Sequence, residues 1–248
     1  MNSNGFRIFS CSLLLLSTLT LACAGAAKAG SFKSGQFVTY LQPEWAGEGL
    51  LMGTPASRLL NADFSTVYAG SFGEVTMGST YTMSFDSASA VEAYLPASGT
   101  PGPLNADLLD PTTSHSGSFG GDVVALTLDV NFSSAGFLTG SSHYSFGNLV
   151  MTGFPALPDL DGITVGQFLG QLDILLGGGS LPDGYTIAEL DPIAIEVENS
   201  FTDGSPSTFA QTNLLPPTTA PTPEPSSLLL FGTSLLGLVP FRRKLFGR

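Results

Sequence analysis

Between Ser34 and Phe154 apolar and polar side chains mostly alternate, the two-residue period of strands with one covered face and one wet face. The run "DVVALTLDVNF" is the clearest case. Val124, Leu126, Leu128, Val130 and Phe132 share one side, and Ala125, Thr127, Asp129 and Asn131 the other. In "TYTMSF", Tyr81, Met83 and Phe85 alternate with Thr80, Thr82 and Ser84. The same pattern predicts strands over Gln36–Leu41, Thr66–Phe72, Ala90–Leu95 and Tyr144–Thr152, the last with a bulge at Gly147. Short strands separated by Gly/Ser turns predict an antiparallel β-sandwich over about residues 31–155.

After Phe154 the period lengthens to that of a helix. Val165, Phe168, Leu169 and Leu172 recur at helical spacing, with Thr164 as N-cap and Gly177–Gly179 as the stop. Further on, Thr186 and Glu189 fit a capping box, but Pro192 argues against an unbroken helix there. The pattern predicts a turn over Thr186–Leu190, then a helix capped by Asp191 with Pro192 at its first position. Ile193, Ala194, Val197 and Phe201 would form its apolar stripe. Two helices within 156–213, packed as a hairpin on the sandwich of 30–155, predict an α+β domain. An internal echo crosses the strand region: segments 53–75 and 99–123 share Gly-Thr-Pro, Leu-Asn-Ala-Asp and Gly-Ser-Phe-Gly in order. The echo reads as a duplicated strand–loop–strand unit.

The two ends are apolar in a different way. Residues 1–29 have the layout of a secretory signal peptide: Arg7, an apolar run from Ile8 to about Cys23, then Ala27-Lys28-Ala29 as the cleavage pattern. Residues 214–225 are rich in Pro and Thr and predict an extended stalk. Within 226–248, the uncharged segment Ser226–Phe241 would cover about 24 Å as a helix, enough for a short transmembrane span. Arg242, Arg243 and Lys244 follow as a membrane stop, which would hold that end in the cytoplasm and the body outside the inner membrane.

Charge sharpens the picture. Half of the 8 Lys and Arg residues lie in the last seven positions, and the formal net charge is −12. Between Gly30 and Thr222, 19 carboxylates face only Lys33 and Arg58. Such a body repels phosphate backbones, which excludes nucleic acid as a partner. Both cysteines, Cys11 and Cys23, fall in the signal region, so the processed chain has no thiol chemistry.

Candidate chemistry is sparse. His115 and His143 stand in polar loop contexts, with no G-x-S-x-G elbow and no H-E-x-x-H motif. Many carboxylates supply acid pairs of the kind glycosidases use, but no spacing singles one out. Asp159 and Asp161 in "PDLDG", with Asp183 and Asp203 before glycines, are turn residues first and weak Ca²⁺ ligands second. Trp45 in "LQPEWAGEG" reads as a loop residue able to stack on a glycan. No catalytic and no cofactor-binding residue is assigned.

One motif carries a resemblance. Pro223-Glu224-Pro225, the apolar segment after it and the arginine cluster together resemble the PEP-CTERM sorting signal of bacteria. The resemblance implies an exosortase as processing partner, passage through the inner membrane, and a surface or matrix destination alongside exopolysaccharide. The stretches "YLPASGTPGPLNADLL", "GSFGGDVVALTLDVNFSSAG" and "GITVGQFLGQLDILLGGG" make the body similar to an uncharacterised class of bacterial secreted domains. The expected function is a structural or adhesive role at the cell surface, not an enzymatic one. The alternatives are a carbohydrate-binding module for exopolysaccharide and a secreted hydrolase.

Overall fold

Helices, not strands, organise the protein. The computed structural model describes residues 32–48 and 53–217. In chain order it contains α1 (Gln42–Trp45), α2 (Pro55–Val67), β1 (Val75–Gly78), β2 (Thr82–Phe85), α3 (Ala88–Tyr94), β3 (Leu108–Leu109) and α4 (Gly117–Ser134). There follow β4 (Val150–Met151), α5 (Val165–Leu176), α6 (Ile187–Glu198), α7 (Thr208–Asn213) and β5 (Leu214–Leu215). The strands make two small sheets. β1 and β2 form an antiparallel hairpin that β3 joins in parallel, and β4 pairs antiparallel with β5.

The β-sandwich expected over residues 31–155 is therefore overturned, and α4 explains why. "DVVALTLDVNF" lies inside this 18-residue helix, with Val123 to Asp129 buried without a break. A helix covered on every side has no wet stripe to reveal its 3.6-residue period. Its β-branched residues then imitate a strand. Thr127 inside it donates its hydroxyl to the Val123 carbonyl (2.7 Å), a bond available only one helical turn back.

The other predicted strands fail individually. Thr66–Phe72 covers the end of α2 and a 3-10 turn, and Ala90–Leu95 is mostly α3. Both helices have proper starts. Thr54 Oγ1 accepts from Ser57 N–H ahead of Pro55, and Ser87 Oγ accepts from Ala90 N–H. Gln36–Leu41 is extended, yet its N–H groups go to Leu138 O, Phe201 O and the Asp129 carboxylate instead of a ladder. Tyr144–Thr152 holds a 3-10 turn at Phe146–Asn148 before the two residues of β4. "TYTMSF" supplies the expected strand, as β2, and Tyr144–Thr152 contributes only the two residues of β4. The echoing blocks also part company. Leu60–Asp63 lies in α2, Leu104–Asp107 precedes β3 outside any helix, and Gly117–Gly120 opens α4.

The Thr164-led helix is present as α5, with Thr164 and Gln167 closing a reciprocal capping box (3.1 and 2.8 Å). In α6 the predicted late start is corrected. The helix begins at Ile187, where Glu189 reaches back to the Thr186 N–H (2.9 Å), and it runs through Pro192. Pro192 and Ala188 are both exposed, so the carbonyl that loses its donor is open to water. The buried stripe of α6 is Leu190, Asp191, Ala194, Val197 and Glu198, with Ile193 only half-buried. Leu214, the first residue of the predicted stalk, is instead buried and pairs with Met151, and the stalk from residue 218 on lies outside the described residues. The signal peptide of 1–29 and the transmembrane segment of 226–248 lie outside the described residues.

The core surrounds α4, which packs against α1, α5, α6 and β1. Phe37, Phe146 and Phe201 are fully buried and stack with Phe32 and Tyr144. Nearby, Trp45 packs on Tyr40 and on Phe132, whose neighbour Ser133 accepts from Phe146 N–H. Each such ring removed from water contributes about 1.5–3 kcal/mol. The β1–β2 hairpin is tied to α5 by the Asp173 carboxylate, which accepts from Gly78 N–H (3.1 Å).

Candidate functional site

Two helices meet through acids. On α4, Asp122 and Asp129 are seven residues apart, two turns, and so share a face; on α6, Asp191 and Glu198 repeat that spacing. The two faces pack against each other, and all four carboxylates are buried, Asp129 completely and Glu198 to within 1%. Buried charge without a partner is costly, so each group needs hydrogen bonds, a proton or a counter-ion.

Part of that need is met from α1. Gln42 Nε2 donates to Asp122 Oδ1 and to Ser118 O (3.4 Å), while Gln42 Oε1 accepts from Ala97 N–H (2.9 Å). Gly121 makes this approach available: a Cβ there would strike the Gln42 amide. Both oxygens of Asp129 accept from Tyr40 N–H (3.1 and 3.3 Å). The Trp45 indole N–H lies near enough to favour the ionised Asp129 but closes no hydrogen bond with it. Asp191 Oδ1 and Glu198 Oε1 have no partner.

The rest is met by protons. Burial raises the Asp122 carboxyl to about 7 against the lowering bond from Gln42, and nearby Asp191 adds to the rise. The carboxyls of Asp122 and Asp191 are close enough to share one proton, the arrangement by which two adjacent acids avoid double charge. Burial also raises Asp191, and lifts Asp129 and Glu198 well above the carboxylate range. Glu198 is pushed further by Asp122, Asp129 and Asp191. Neither Lys33 nor Arg58 is among the charges acting on any of the four.

A cavity of about 260 Å³ opens onto this cluster. Its walls include Leu41, Pro43, Pro96 and Ile195, and Asp122 and Glu198 supply its carboxylates. The residues singled out by sequence lie elsewhere. Trp45 is fully buried, so it offers no ring face to a glycan, which corrects the loop reading. His115 is exposed and its Nδ1 meets only Pro103 O (3.2 Å); His143 is exposed too. Asp159 accepts from the Tyr185 hydroxyl (3.1 Å), Asp161 from Phe154 N–H (3.0 Å) and Asp183 from Tyr185 N–H (3.2 Å). Among the described residues no group of three or more His, Cys, Asp or Glu is disposed to hold a metal ion. Sequence reasoning missed the four acids, although their matched seven-residue spacing was there to be found.

Ala27, Ala29, Pro223, Glu224, Pro225, Arg242, Arg243 and Lys244 lie outside the described residues. The PEP-CTERM protein-sorting motif matches residues 221–244. The chain carries the sorting signal of an exosortase substrate, and this implies an exported protein that is anchored in the membrane and then processed. No curated protein and no solved structure matches the chain. No helix among the described residues is long and apolar enough to cross a membrane.

Proposed function

We propose that the exported body is a structural and adhesive component of the cell surface or extracellular matrix, acting by contact and not by turnover. The observation that carries this reading is where the chemically able side chains sit. Asp129 and Trp45 are sealed in helix packing, and His115 and His143 stand singly at the surface. A hydrolytic site instead brings nucleophile, base and orienting group together at an open cleft. Exopolysaccharide is the proposed contact, in keeping with the sorting signal.

One observation favours a hydrolase as the second reading. Asp122 and Glu198 border one cavity, and burial holds Asp122 protonated up to about 7, as a general acid requires. The two readings separate in one experiment. The processed protein, incubated with exopolysaccharide from its own cells, should sediment with the polymer and release no reducing ends. Release of reducing ends that disappears in Asp122→Asn would replace adhesion with hydrolysis.

A further inference from the structure

The cavity above the acid cluster combines features that adhesion does not explain. Its walls are apolar, from Leu41, Pro43, Pro96 and Ile195, and Ile195 keeps 41% of its surface exposed. Its carboxylates come from two different helices, Asp122 from α4 and Glu198 from α6. Glu198 is 1% exposed and its Oε1 has no partner. No cation of the described chain acts on either acid. The missing element is positive charge, and the shape specifies how it would arrive.

A hard divalent ion suits the place poorly. Ca²⁺ takes six to eight oxygens and Mg²⁺ an octahedron. Here two carboxylates and the amides of Gln42 and Asn199 line the cavity, Gln42 Oε1 is already bonded to Ala97 N–H, and no group of three or more His, Cys, Asp or Glu among the described residues is disposed to hold a metal ion. A primary ammonium on an alkyl stem fits better. Its three N–H donors can reach carboxylates on separate helices, and its methylenes lie against apolar walls as a lysine stem does.

We propose that this cavity is a binding site for an alkyl chain ending in a primary ammonium, with Asp122 and Glu198 as its counter-charges. The ligand is either a free amine or a lysine side chain of a partner. Binding is linked to protons, because an entering cation displaces those held by the cluster. The titratable groups lining the site are Asp122 and Glu198; those that act on them or on their neighbours are Asp129 on α4, Asp191 on α6, Glu44 on α1 and Tyr94 on α3. All are acids or phenols, so nothing local repels an ammonium.

The test is calorimetric titration of the processed protein with n-butylamine hydrochloride, which stays protonated well above neutrality. Saturable binding is expected at about pH 8, weakening by roughly tenfold or more toward pH 5.5 as the cluster takes up protons. Near neutrality, proton release should show as heat that varies with the buffer. Asp122→Asn and Glu198→Gln should each weaken binding by about tenfold or more while circular dichroism stays unchanged, since each removes a buried charge rather than packing. Cadaverine and Nα-acetyl-lysine methylamide form the source arms: tighter binding of the first indicates a free diamine, of the second a partner's lysine. The proposal is overturned if n-butylamine fails to saturate at pH 8, if n-butanol competes equally, or if both variants bind as the parent does. Exopolysaccharide is absent throughout, so the adhesive reading can fail or hold independently.

Discussion

A carboxyl group that folding strips of water holds its proton more tightly than the same group in the unfolded chain, and this protein has several. For Asp122 the folded value is about 7 against 3.8, so the native state binds more protons than the unfolded state across that interval. Stability from this group is fully present below about pH 4 and is lost as pH rises through 7. Asp129, Asp191 and Glu198 shift the same way. Urea midpoints should fall steadily from pH 4 to pH 8, and a flat or rising profile would contradict the burial of these acids. Asp173 permits a cleaner measurement because it stands apart from the cluster. Burial raises it to about 6 from 3.8 against the Gly78 N–H bond. At roughly 1.4 kcal/mol per unit, that difference costs up to about 3 kcal/mol at neutral pH. Asp173→Asn keeps an oxygen for Gly78, so it should raise stability at pH 7.5 and leave it little changed near pH 4, as read by denaturant titration.

At the scale of elements, α4 decides the fold through what it admits. Gly121 lets Gln42 lie against the helix, and Gly120 does the same for Ser116 and Tyr94. Gly121→Ala improves helix propensity by about 1 kcal/mol, but the new methyl strikes the Gln42 amide inside a closed network, a clash worth roughly 1–3 kcal/mol. The clash should win, with a lowered melting temperature and a loss of Gln42–Asp122 coupling in a double-mutant cycle. The same helix marks the boundary of what the sequence makes legible. α5 was readable because Thr164 caps it, glycines stop it, and its buried stripe of Val165, Phe168, Leu169 and Leu172 alternates with exposed positions such as Gln167 and Gly170. α2 had an equally good start in Thr54-Pro55, which the strand pattern downstream concealed. α4 declares nothing: three of its first five residues are glycines, its Ser116 makes no cap bond, and its neighbours cover the run from Gly120 to Asp129. In α6 the Thr186–Glu189 box was the correct signal, and giving Pro192 precedence ignored that a proline facing solvent leaves its orphan carbonyl hydrated. The acid site failed to appear for a related reason. Its four members are unremarkable among 19 carboxylates until two helices are known to pack on each other.

At the scale of the whole molecule, the first and last described segments lie side by side. Gln211 Nε2 donates to Phe32 O (3.0 Å) and Gly35 N–H to Gly204 O (2.8 Å). The body thus holds the first described residues against the turn and helix that precede β5. Replacing Pro223, Glu224 and Pro225 by alanine should leave a precursor with its C-terminal tail intact, which mass spectrometry of the mature termini would reveal. Ordinary trimming of that variant would detach the motif from processing. The buried acids have a last consequence, felt before any folding occurs. An exported chain threads the translocon unfolded, and each segment samples the lipid at its lateral gate. The 18 residues of α4, without Asp122 and Asp129, would approach a length and greasiness that partitions sideways; each aspartate at mid-bilayer adds about 2.5–3.5 kcal/mol against it. Leucine at both positions should strand the precursor in the inner membrane, recoverable only with detergent, even though the same exchange relieves the folded state of its least comfortable charges.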